Sequence, residues 1–214
     1  MIAIFRTFLL AAAVATTASA GLLKQDFLAA NDGLLVRDTV TNLEWLTPVY
    51  TKGNTYNNVF VQGVLTTYGF RYATATEVTS MVNSNFGNPT TVAPGDAAGF
   101  TAAAQFFGYF GITDNVFCSG GPCPRTQGLT STPGGGGSRL AFGMIQLGPT
   151  GWFIVNNNWP DSVADPQMGS WLVRTSTVGD VPEPGTVVLL GVGLVGLAWR
   201  RVSLTFAVRT AKQS

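Results

Sequence analysis

Apolar and polar positions alternate in short runs through the middle of the chain, while each end carries a longer apolar stretch. Leu34, Leu35 and Val36, then Leu43, Trp45 and Leu46, predict two strands about a turn at 39–42. A weak helix is predicted over 56–65. Thr74-Ala75-Thr76-Glu77 has the form in which two side chains cap each other's backbone amides, and Val78, Met81 and Val82 share one face of the helix that follows. Asp96 is placed to cap a third helix through Tyr109, presenting Phe100, Ala103, Ala104, Phe107 and Phe110 at helical spacing. Residues 112–138 hold three prolines and a run of four glycines and read as loop. Residues 140–147 and 152–156 flank Gly148-Pro149-Thr150-Gly151, a hairpin signal, and 170–177 supplies a last strand. The order predicts an α+β domain, helices before a C-terminal antiparallel sheet.

The two ends follow other rules. Arg6 precedes an apolar stretch at 8–14, and Ala18-Ser19-Ala20 forms a small-residue cleavage site, so 1–20 is predicted to be a signal peptide cut before Gly21. A retained N-terminal anchor is the alternative. At the other end, 186–198 carries no charge. A helix over 185–199 spans roughly 22 Å, short of a hydrocarbon core of about 30 Å. Pro184 starts it cleanly, Trp199 suits the interface, and Arg200 and Arg201 form a cytoplasmic stop. The expectation is a single C-terminal transmembrane helix with a cytoplasmic tail at 202–214. A buried core helix is the alternative, opposed by the all-round apolarity and the Arg pair. The exported domain is then 21–180, a length that suits one core.

Val181-Pro182-Glu183-Pro184, the apolar helix and Arg200-Arg201, in that order, closely resemble the PEP-CTERM sorting signal of Gram-negative exported proteins. The resemblance implies recognition by an exosortase, a membrane cysteine transpeptidase or protease that removes the tail near the box. It implies an inner-membrane intermediate and then the outer surface or extracellular matrix. Signal peptidase and exosortase are the processing partners it names. Members of that family stop soon after the arginines, whereas this chain runs on to Ser214.

A second resemblance lies upstream. Asp38-Thr39-Val40-Thr41-Asn42-Leu43-Glu44-Trp45 looks like the D-x-x-T-G-L-x-W opening of extracellular domains of the Lcl C-terminal type. The stretch from Gly69 through Arg71, Thr74 and Glu77 to Val78 is similar to their W-R-L-P-T-x-x-E-L segment, and Gly169-Ser170-Trp171-Leu172-Val173-Arg174 to their closing strand. Asn42 stands for the Gly, Phe70 for the Trp and Ala73 for the Pro. The resemblance implies a C-type-lectin-like fold. Read physically, the matched positions are scaffold: Trp45 in the core beside Phe70, Arg71 paired with Asp38 or Glu77, and Thr74 with Glu77 as a cap.

Charge and residue usage narrow the chemistry. Between 21 and 180 there are seven Lys/Arg and ten Asp/Glu, so the exported part is near −3 and has no basic patch for nucleic acid. The only cysteines, Cys118 and Cys123, flank Ser-Gly-Gly-Pro and are predicted to close a small disulfide loop after export. Histidine is absent, which removes Ser-His-Asp and Cys-His catalysis and the usual zinc sets. The acids are scattered without a D-x-D or E-x-x-E cluster, so the chain is read as a non-enzyme with no obligate cofactor. Gly191, Gly193 and Gly196 match a dinucleotide string but lie in the tail helix with no preceding strand. Asn156, Asn157, Asn158, Trp159 and Asp161 form the best ligand segment. Asn158, Asp161 and Asp165 offer oxygens to calcium, Trp159 offers a face to a sugar, and a plain polar turn is the competing reading. The expected role is adhesion or exopolysaccharide association. A carboxylate-dependent enzyme on extracellular polysaccharide, or a purely structural envelope component, is the alternative.

Overall fold

The computed structural model describes residues 21–87, 96–118, 121–147 and 151–177, without the side chains of 147 and 151–156. The chain opens with β1 (Leu22–Gln25), β2 (Leu35–Asp38), β3 (Leu43–Leu46), a 3-10 turn (Pro48–Thr51), α1 (Val59–Tyr68), β4 (Arg71–Tyr72), α2 (Ala75–Asn85) and α3 (Ala97–Phe110). It continues as β5 (Asp114–Cys118), β6 (Gly121–Gly135), β7 (Ser138–Leu147), β8 (Gly151–Pro160), β9 (Gly169–Ser170) and β10 (Leu172–Thr175). The class is α+β. The strands, however, form two sheets rather than one at the C-terminus. The first has the order β1-β2-β3-β10-β4 and the second β5-β6-β7-β8, with β9 parallel to β6. The strands before the helices cannot bury two faces alone, and the last strand of the chain completes their sheet.

Period-2 alternation sends neighbouring residues of the first sheet into different cores. Val36, Trp45 and Val173 face Val78, Met81, Val82, Phe106 and Phe110 of α2 and α3, with Phe142 and Met144 of the second sheet. Leu35, Leu46 and Leu172 face the other way, onto Val61 and Val64 of α1 with Phe70 and Tyr72. Trp45 and Phe70 therefore lie in different cores and are not the neighbours expected. Trp45 meets Trp171 edge-on, with ring centroids 6.4 Å apart.

Capping residues set the helix ends. The Asn58 carboxamide accepts the Phe60 amide at 2.8 Å and starts α1, three residues later than the apolar pattern suggests, leaving Tyr56 in the preceding turn. The predicted capping box is present: the Glu77 amide donates to Thr74 Oγ1 at 3.1 Å and the Thr74 amide to Glu77 Oε2 at 2.8 Å. Asp96 caps α3 through the Ala98 amide at 2.7 Å. The buried stripe of α3 is Gly99, Ala102, Ala103, Phe106, Phe107 and Phe110, leaving Phe100 and Ala104 outside it. An Ala/Phe helix that is apolar nearly all round admits either stripe. Contact decides, with Phe106 and Phe110 standing 5.8 and 5.2 Å from Trp171.

The region expected to be loop is largely β5 and β6. Pro122 and Pro124 face only the short outer strand β5, opposite Phe117 and Asn115. Pro133 sits between two register shifts, where the ladder is already interrupted. Gly136 and Gly137, with φ of +59° and +74°, reverse the chain between Gly135 and Ser138. The β2–β3 turn closes with Asn42 at φ +54°, and Asp38 Oδ1 accepts the Val40 amide at 2.9 Å.

Trp171 joins the two sheets. Its amide donates to Leu129 O and its carbonyl accepts from the Ala73 amide, both at 2.8 Å, while its indole donates to Phe142 O at 2.9 Å. A Cβ on Gly128 would stand 3.0 Å from the indole, so glycine there makes room for the ring. Trp171→Ala is expected to cost ~3–5 kcal/mol, read from the urea midpoint; a loss under about 1 kcal/mol would show that the sheets do not depend on this ring.

Arg71 grips Glu77 with both guanidinium nitrogens, at 2.9 and 2.5 Å, rather than Asp38. That bond, helped by the Thr74 amide and opposed by partial burial, lowers the Glu77 carboxyl from 4.5 to about 2. The folded form is the stronger acid, so its contribution is complete above pH 4.5 and fades as pH falls to about 2. The pair is open to solvent, and the contribution is on the order of 1 kcal/mol. Glu77→Gln should flatten that part of the stability-against-pH curve; an unchanged slope would count against the pair.

Candidate functional site

Residues Asn156–Trp159 are not a turn. They lie in β8, with Asn156 opposite Phe142, Asn157 opposite Ala141, Asn158 opposite Leu140 and Trp159 opposite Arg139. Alternation places Asn157 and Trp159 on one face and Asn158 on the other, so the three asparagines do not converge. Asn158 turns toward the β6–β7 reversal, and a Cβ on Gly134 would stand 2.5 Å from its Oδ1. Asn157 is exposed, and Trp159 is half-buried against Leu129, Ala141, Met168 and Tyr56. The Trp159 indole donates to Val163 O at 3.1 Å, holding the chain that leaves the strand.

Arg139 organises this corner. Its Nε donates to Asp161 Oδ2 at 3.2 Å, its Nη1 to Ser131 O at 3.0 Å, and its guanidinium carbon lies 4.4 Å from the Tyr56 ring centroid. Tyr56 in turn stacks on Tyr72 at 4.1 Å, and the Tyr72 hydroxyl donates to Tyr56 O at 2.5 Å. Burial pushes both phenols above the usual tyrosine value. Asp161 Oδ1 is buried and has no hydrogen-bond partner among the described residues. The Arg139–Asp161 pair is partly open to solvent and is bordered by the half-buried Trp159 and Tyr56 rings, so charged and aromatic surface lie side by side.

Calcium geometry is not assembled here. Asp165 Oδ1 accepts the Gln167 amide at 2.8 Å within its own turn, and Asp161 is committed to Arg139. No group of three or more His, Cys, Asp or Glu side chains that could hold a metal occurs among the described residues. Sequence reasoning missed Tyr56, Tyr72 and Arg139. They are brought to Trp159 by the β7–β8 register and by packing across distant segments, which local patterning does not carry.

The other carboxylates are occupied by the scaffold. Asp32 accepts the amides of Phe27, Leu28, Ala29 and Leu34, and those bonds hold it far below the usual carboxylate range. Asp26 accepts the Gly33 amide and Asp114 pairs with Arg125 at 3.0 Å. Glu44, deeply buried, is held by Arg174 at 2.8 Å and Ser176 at 2.9 Å. Cys118 and Cys123 are joined as expected, closing the β5–β6 turn over Ile145.

The expectations for Ala18 and Ala20, for Val181, Pro182, Glu183 and Pro184, for the 185–199 helix, for Arg200 and Arg201, and for the 202–214 tail lie outside the described residues. Gly21 is described, its amide donating to Thr39 Oγ1 at 2.9 Å beside β1. No described helix is long and apolar enough to cross a membrane. Residues 180–202 match the PEP-CTERM protein-sorting motif. The tag indicates an exported surface protein that passes through the membrane and is processed by exosortase. The match covers the tag and not the domain before it. No curated protein and no solved structure matches the chain.

Removing the disulfide should loosen the β5–β6 turn and little else. Cys118→Ser with Cys123→Ser is expected to cost about 2 kcal/mol, with faster amide exchange confined to β5 and the start of β6. Exchange spreading into the first sheet would contradict that.

Proposed function

We propose that the domain is a non-enzymatic binding module of the cell surface or extracellular matrix, associating with exopolysaccharide through the Trp159–Arg139–Asp161–Tyr56 corner. The observation that carries the reading is the pair of half-buried Trp159 and Tyr56 rings standing beside the partly exposed Arg139–Asp161 ion pair. A sugar supplies hydroxyl donors and an apolar ring face together, and few other extracellular ligands match both. That the acids among the described residues already serve turns, caps and ion pairs favours binding over hydrolysis. A glycosidase needs two carboxylates free to act on substrate, one of them holding its proton near neutral pH. Here Asp32 and Glu77 are shifted the other way, and the remaining described acids serve turns, caps and ion pairs. The similarity to Lcl-type domains and their lectin-like fold agrees with this role. The left-handed Asn42 sits where their pattern has Gly. The Arg139 ion pair also favours recognition without calcium.

The test is binding of the processed protein to a panel of neutral and acidic extracellular polysaccharides. Trp159→Ala is expected to weaken binding about 10-fold, in line with the loss of one aromatic stacking contact, and a chelator to leave it unchanged. Binding indifferent to Trp159→Ala would sink the assignment of this corner. Loss on chelation, restored by calcium, would return a metal to the site. New reducing ends in the polysaccharide would make the protein an enzyme.

A further inference from the structure

Four aromatic rings run along the surface of the α1 layer: Phe27, Tyr50 and Tyr68 are half-buried against the core below, and Phe60 is exposed. Phe60 lies 5.4 Å from Tyr50, Tyr50 5.5 Å from Phe27, and Phe27 4.8 Å from Tyr68, centroid to centroid. Phe70, 5.7 Å from Phe27, anchors the row to the buried core below. Only Val61 and Val64 of α1 are buried, so the apolar start of the helix looks outward: Phe60 is 44% exposed and Val59 86%. Leu28, next to Phe27, is 52% exposed. A soluble surface ordinarily breaks up such a patch, and a contiguous one marks an interaction site.

The row is preorganised. Asp32 gathers the amides of Phe27, Leu28, Ala29 and Leu34, and Asp26 takes that of Gly33, which fixes the loop that carries Phe27. A ligand therefore meets rings already in place and pays little ordering entropy. The Tyr50 and Tyr68 hydroxyls take no hydrogen bond among the described residues and stand free beside the apolar faces. The charged neighbour of Tyr50 is Asp32, whose carboxylate stays ionised at any ordinary pH. An acidic polymer would be repelled there, and the nearest cations are already engaged: Arg174, over the Phe70 ring, pairs with Glu44, and Lys24, beside Gly33, bonds to Gly108 O. Ring faces, free hydroxyls and an anionic flank together favour an uncharged, polyhydroxylated ligand.

We infer that Phe60, Tyr50, Phe27 and Tyr68 form a second subsite, which takes the apolar faces of neutral pyranose units of an extracellular polysaccharide. This rests on the polysaccharide reading of the domain and adds a site separate from Trp159. The processed protein is titrated calorimetrically with maltohexaose and cellohexaose, and with alginate as the acidic comparison. Phe60→Ala is expected to weaken binding of a neutral oligosaccharide 5- to 10-fold, roughly the worth of one aromatic contact. Tyr50→Phe with Tyr68→Phe removes only hydroxyls and should weaken it by a smaller factor, about 2- to 5-fold, with the melting temperature held. Sensitivity to Trp159→Ala alone, or binding of alginate alone, overturns the second subsite and leaves the polysaccharide reading in place. Binding of neither class by the unaltered protein removes both. A Phe60→Ala change in sedimentation without a change in sugar binding assigns the row to a second copy of the chain and overturns the inference.

Discussion

The indole of Trp171 lies where the two sheets meet, and the packing of both depends on it. Between β9, which belongs to the second sheet, and β10, which belongs to the first, the chain has one residue in which to change partners. Trp171 satisfies its backbone groups on Leu129 and Ala73 and its indole on Phe142, so the crossing leaves none of these polar groups unpaired in the core. Its ring meets Trp45 from the first sheet and Phe106 and Phe110 from α3. The cost of burying so large a polar aromatic is offset only because every one of those neighbours is in place.

This arrangement makes the fold non-local. β10 is an inner strand, flanked by β3 and β4, yet it is the last strand in the chain. Glu44 meets Arg174 across 130 positions, a bond that forms only when β10 arrives. Loop closure over such separations is entropically slow. The domain therefore completes its first sheet only when the segment just before the sorting tag at 180–202 has been delivered.

What the sequence made legible was local. The Thr74–Glu77 capping box, the Asp96 cap, the 39–42 turn, the β7–β8 hairpin and the cystine were all readable because each depends on residues a few positions apart. The glycine- and proline-rich stretch of β6 was misread because a strand beside a short outer neighbour, interrupted by register shifts, tolerates residues that a central strand rejects. The α3 face was read in part, with Ala103, Phe107 and Phe110 buried as expected but Phe100 and Ala104 outside the stripe, because an apolar helix does not reveal which stripe its partner will choose. Trp159 was singled out from its type alone. Its partners Arg139 and Tyr56 come from 20 and 103 positions away and left no local trace.

Function is then a question of what the scaffold leaves unused. Charged residues make up 11% of the chain, against about 25% in ordinary soluble domains. Those described with a carboxylate already serve caps, turns and ion pairs. A surface so poor in free charge gives electrostatic steering little to act on. What it retains are aromatic faces held by their neighbours and phenol and amide groups facing solvent. On the proposed polysaccharide reading, such groups would recognise shape and hydroxyl geometry in a neutral, repetitive partner. Individually weak contacts of that kind become useful when the ligand is a polymer, because a second contact on the same chain forms at high effective concentration.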